Sequence, residues 1–144
     1  MLRGLLDHVA ARDVILADAL LATGWIIEGA LARGGDVVMA QHGCRITDFT
    51  RGERLGKHDH MVEWPRPPRP ATMSVAQYQS YPECIRMRGV EVNGRILVTT
   101  LLDPKAVSGK ALDALYAMRW NIEVDFRTIK RRCKWMCCAA NQRR

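Results

Sequence analysis

Hydrophobic and polar positions divide the chain into stretches of different rhythm. Leu2 to Ala11 reads as the end of a helix, and Asp13-Val-Ile-Leu-Ala-Asp18 is an apolar run of strand length fenced by charge at both ends. Ala19 to Arg33 is rich in Ala and Leu and closes at Gly34-Gly35, a favourable stop because glycine accepts the left-handed backbone that ends a helix. Asp36-Val-Val-Met-Ala-Gln41 follows as a second buried strand. Strand, helix and strand within about thirty residues predict a parallel crossover.

Gly43 to Pro82 abandons that rhythm. Gly, Pro and charge dominate, and Pro65, Pro67, Pro68 and Pro70 leave no room for a long helix, since each lacks an N–H and clashes with the preceding turn. The segment is predicted as an irregular or β-rich insertion on the sheet edge, with Arg45, Arg51, Arg54, Lys57, Arg66 and Arg69 exposed. Glu83 to Leu102 alternates and turns at Asn93-Gly94, a strong hairpin signal, and Asp103-Pro104 ends it. Ser108 then caps a helix predicted over about Gly109 to Lys130, with Leu112, Leu115, Met118, Ile122, Phe126 and Ile129 forming its apolar stripe. No internal repeat divides the chain.

Composition narrows the class. With 144 residues, 48% hydrophobic and 26% charged, the chain suits one globular domain. No apolar run approaches the ~20 residues that cross a bilayer, and Met1 to Asp7 lacks the pattern of a signal peptide, so a cytoplasmic protein with no membrane partner is expected. The net charge of +7 favours a polyanion, nucleic acid first. Most of it sits between Arg119 and Arg144, where eight basic residues face only Glu123 and Asp125. Five cysteines, an odd number, read as reduced thiols. Cys133, Cys137 and Cys138 lack the paired spacing of a zinc site, and His58 and His60 with Cys44 read as solvated loop residues.

Candidate chemistry lies on the last helix. Tyr116, Arg119, Glu123 and Lys130 fall within an arc of roughly 60° at ~100° per residue, so a carboxylate is flanked by a phenol, a guanidinium and an ammonium. Charge spacing alone would equally serve a solvated helix face. The order of types is more specific: Tyr-x2-Arg-x3-Glu-x6-Lys, spread over fifteen positions, resembles the signature of DDE transposases of the insertion-sequence-4 family. The likeness extends to Asp13-Val-Ile-Leu-Ala-Asp18, to 31–42, to 51–60 and to Val98-Thr-Thr-Leu-Leu-Asp103, about residues 5 to 130 in all.

The resemblance implies an α/β fold, a partial RNase H-like domain over 1–130 with a β-rich insertion at about 43–107, and a parent activity of Mg²⁺-dependent DNA cleavage and strand transfer at transposon ends. Asp18 and Glu123 would be catalytic and hold Mg²⁺, a hard ion that prefers carboxylates. Arg119 and Lys130 would grip phosphates, Tyr116 would donate to a phosphate or stack, and Trp64 would either stack on an extruded base or simply pack. The parent enzyme would be oligomeric on DNA and associated with the nucleoid. The family's first Asp lies well upstream of the second, so the chain reads as truncated at both ends and inactive alone, and Ala19 stands where relatives usually carry a basic residue. The adjacent reading frame of permitted codons for Lys130 to Ala140 can spell the family's continuation, which makes 131–144 an out-of-frame, disordered basic tail. A non-enzymatic basic module that binds nucleic acid is the rival reading.

Overall fold

The computed structural model describes residues 4 and 6–121. Glu123, Lys130 and the tail 131–144 lie outside the described residues, as does the far half of the predicted last helix. Six strands form one mixed sheet: β1 (Val14–Ala17), β2 (Asp36–Ala40), β3 (Glu53–Gly56), β4 (Asp59–Pro65), β5 (Cys84–Val92) and β6 (Arg95–Thr99). Their order across the sheet is β1-β2-β6-β5-β4-β3, with β1 and β2 parallel and every other pair antiparallel. The segment 43–82 accordingly adds β3 and β4 to one edge, as its β-rich reading anticipates.

The crossover between β1 and β2 is less regular than its sequence suggests. In place of a single helix over Ala19–Arg33, a 3-10 turn (Ala19–Leu21) precedes helix α1 (Gly24–Leu31). Asp18 caps the 3-10 turn by accepting the Ala19 N–H, and the break comes at Ala22 and Thr23, whose backbones leave the helical region before α1 begins. The stop is as expected, with Gly34 at φ +75. Asn93 and Gly94 both take positive φ, 51° and 74°, the backbone of a two-residue hairpin turn whose twist matches its strands.

A five-residue helix, α2 (Val75–Gln79), held by a Ser74–Gln77 capping box, interrupts the Pro-rich segment. Ser108 caps α3 (Gly109–Ala117) by accepting the Ala111 N–H. The helix closes at Met118 rather than running straight on, and residues 119–121 are helical again beyond it. Met118 is 55% exposed, not part of the apolar stripe that its spacing predicts.

Strand alternation sorts the core into two layers. On one face Ala17, Val37, Met39, Val98, Met87, Ile85 and Trp64 pack with Ile27 and Ala30 of α1. On the other, Val38, Leu97 and Val90 pack with Leu112 and Tyr116 of α3, and Val14, Leu16 and Ala40 join them. Between β2 and β6, hydroxyls extend the ladder: Thr99 donates to the Val37 carbonyl at 2.7 Å, and Thr100 donates to Asp36 at 2.6 Å while accepting the Val37 N–H at 3.0 Å. The two edges differ. β3 is exposed, charged and bulged between Arg54 and Gly56, whereas β1 is apolar and pairs, among the described residues, with β2 alone.

Candidate functional site

Asp18 follows directly on Ala17, at the carboxyl end of β1, and is exposed. Its backbone stays extended, at φ −73 and ψ 163, so strand parity puts it on the face of Val14 and Leu16, the face that α3 covers. Helix α3 runs toward the same end of the sheet. Gly109 at its start abuts Val90, while Asp113 accepts from the Asn93 amide at 2.6 Å and Arg95 lies over the Tyr116 ring at 5.7 Å. The Asn93–Gly94 turn and Arg95 mark the end at which β1 and β2 also finish. Topology therefore brings Asp18 and the C-terminal end of α3 to one end and one face of the sheet.

Tyr116 is 4% exposed, seated in the core itself rather than at the border of the apolar face. The Arg119 guanidinium lies 5.5 Å from its ring centre and 4.9 Å from that of Trp120, so Tyr116 forms a floor that steadies a cation above it. Trp64 is 8% exposed and packs in the α1-side core, with the Arg45 guanidinium 3.7 Å above its ring. Partial burial pushes the Arg45 pKa below its ordinary value. Glu123 and Lys130 lie outside the described residues, so four of the six expected site residues can be placed.

Around Trp64 the α1 side of the sheet is hollow. The strap 41–51 leaves a groove of about 600 Å³ lined by Gln41, Arg45, Asp48, Arg51, His60 and Trp64. A second hollow of about 460 Å³, toward Thr23 and Trp25, shares Arg45 and Trp64 with the first. His60 is not a solvated loop residue: it is 3% exposed, and its Nδ1 donates to the Arg51 carbonyl at 2.8 Å. His58 pairs with Glu91 at 2.6 Å. Thr50 side-chain and backbone bonds hold the Asp48 carboxyl below the usual range. Arg66, expected to be exposed, is half-buried and donates to the carbonyls of Tyr78 and Tyr81 at 2.7 Å each, knitting the Pro-rich segment together.

The transposase DDE domain, taken as a family, matches residues 1–144. The chain belongs to that family. No match to a curated protein or to a solved structure accompanies it. For a DDE domain, DNA is the substrate, transposition the process and a divalent metal the usual cofactor. A metal ion needs several converging donors. Among the described residues no three His, Cys, Asp or Glu side chains gather in that way, and Asp18 is the one expected ligand present. The described part of the DDE domain thus fits one oxygen ligand and does not complete a set. Among the described residues no helix is long and apolar enough to cross a membrane.

Sequence reasoning missed Arg88, the one cation of this DDE domain that is fully buried among the described residues, on the α3 side. In the run Arg86-Met-Arg88 both arginines look like the polar positions of an alternating strand. Only the position of Asp59, supplied by strand pairing, distinguishes the second.

Proposed function

We propose that this chain is the acid-bearing part of a DNA transposase catalytic domain of the insertion-sequence-4 type, built on an RNase H-like sheet and acting at transposon ends. The placement of Asp18 carries the reading: it stands at the carboxyl end of β1, on the face covered by α3 and at the end toward which α3 runs. On this reading Glu123, two residues beyond the last described position, meets Asp18 there, and the two carboxylates would hold Mg²⁺. When bound, the ion supplies charge relief at the phosphate and activation of an oxygen nucleophile.

The remaining roles belong to side chains. Arg119 and Lys130 hold backbone phosphates through charge-assisted hydrogen bonds, with Tyr116 as the floor beneath Arg119. Trp64 offers its ring to a terminal base once Arg45 swings off its face. Assembly of several copies on DNA completes the reading.

Titration with Mg²⁺, with and without a short DNA duplex, tests it. Asp18→Asn and Glu123→Gln are each expected to weaken ion binding at least tenfold while DNA affinity stays within twofold of the parent. Unchanged ion affinity in both variants rejects the reading. The concentration of positive charge after Arg119 favours a second one, a non-enzymatic module that binds nucleic acid. In that case removal of 131–144 abolishes DNA binding and Glu123→Gln changes nothing.

A further inference from the structure

Arg88 has no exposed surface, and its partners come from two separate pieces of chain, β4 and the connection between β6 and α3. Its Nε donates to Asp59 Oδ1 at 2.9 Å and its Nη2 to Asp59 Oδ2 at 2.6 Å, a two-pronged grip on the first residue of β4. Its Nη1 donates to the Val107 carbonyl at 2.7 Å and reaches the Leu101 carbonyl at 3.5 Å. Leu101 lies just after β6, and Val107 immediately precedes Ser108, the residue that caps α3. One guanidinium therefore ties the tip-proximal end of the β3–β4 hairpin to the start of the helix that carries Tyr116 and leads to Arg119.

Stability alone is a poor reason for such a group. A buried ion pair is commonly no better than well-packed apolar side chains of the same volume, because both charges must be stripped of water. What apolar packing cannot supply is direction. The planar guanidinium fixes the angle at which a carboxylate and a carbonyl are held, which a point charge on a flexible stem does not.

We propose that Arg88 is a positioning residue for the candidate site, setting the start of α3 against the β3–β4 hairpin and thereby placing Tyr116 and Arg119. The hairpin tip is also the natural place for a polyanion to pull on this linkage. Arg54 and Lys57 are exposed there without an ion pair among the described residues, and Lys57 stands two residues from Asp59. DNA held at the tip is thus felt at the helix. What the helix does once placed rests on the proposed function; the linkage does not.

Hydrogen exchange of the full chain, resolved by segment and measured with and without a short DNA duplex, tests the linkage. In Arg88→Lys, whose ammonium cannot hold carboxylate and carbonyl in one fork, exchange over 101–117 should accelerate at least tenfold while 14–40 stays as in the parent. DNA should alter exchange at both 53–62 and 108–117 in the parent, and only at 53–62 in Arg88→Lys. Should Arg88→Lys fail to fold, Asp59→Asn keeps the size and one acceptor of the partner and should still accelerate 101–117 at least threefold. Uniform acceleration across the sheet, an unchanged 101–117, or a helix that still responds to DNA in the variant overturns the proposal. A parent chain that shows no DNA response rejects the proposed function, and the DNA-free exchange of 101–117 still decides the linkage.

Discussion

The two faces of the sheet are finished differently. On the α3 side, Leu112 and Leu97 are fully buried, and Arg88 satisfies an acid and two carbonyls at once. On the α1 side, helix α1 covers only the β1–β2 end, and the strap 41–51 bridges the rest without filling it, so Arg45 and His60 border open space. A face tied together through a buried side chain is suited to holding geometry. One whose polar groups line a groove has capacity left for something else.

If the closed face owes its geometry to Arg88, removing that side chain should be the most damaging change. Arg88→Met leaves the half-buried Asp59 carboxylate and the Val107 carbonyl without their partner and is expected to cost about 3 kcal/mol or more, read from urea unfolding. Leu112→Ala opens a cavity under α3 and should cost about 3 kcal/mol by the same measurement. Ser108→Ala removes the α3 cap, for about 1 kcal/mol.

The open face should respond less. Arg45→Met loses only a stack over Trp64 at the groove edge, about 0.5 kcal/mol. A loss as large as that of Arg88→Met would erase the contrast between the faces. The smallest effect is one of pH. Burial raises the Glu28 pKa in the folded chain, so the ionised form is disfavoured there. Stability should therefore fall as pH rises from the unfolded value through the higher folded one, and Glu28→Gln should gain a few tenths of a kcal/mol at pH 7 and nothing near pH 3, in thermal melts at the two values.

Much of this architecture was written locally. The apolar run before Asp18, the glycines at 34–35, Asn93-Gly94 and Ser108 each name a backbone event within a few residues, and each event occurs as expected. Features set by distant pairing were not legible. Arg88 looks like an ordinary polar position of a strand, and His60 like a solvated loop residue, until pairing sets them beside Asp59 and under the strap. Helical angle alone puts Tyr116 at the border of the apolar face, and the sheet extends far enough to bury it. The helix over 19–33 divides for a local reason: Ala22 and the β-branched Thr23 leave the helical region, which a count of Ala and Leu overlooks.

Strand β2 gains its second neighbour late. Val37 and Thr99, bonded across that pairing, are 62 residues apart. At roughly 5–20 residues per second of synthesis, the β1–α1–β2 unit emerges about 3–12 s before β6 exists. During that interval one flank of a strand whose Val37, Val38 and Met39 end fully buried stands bare on the ribosome, a target for chaperones and for neighbouring nascent chains, while the later strands close by hairpins of their own.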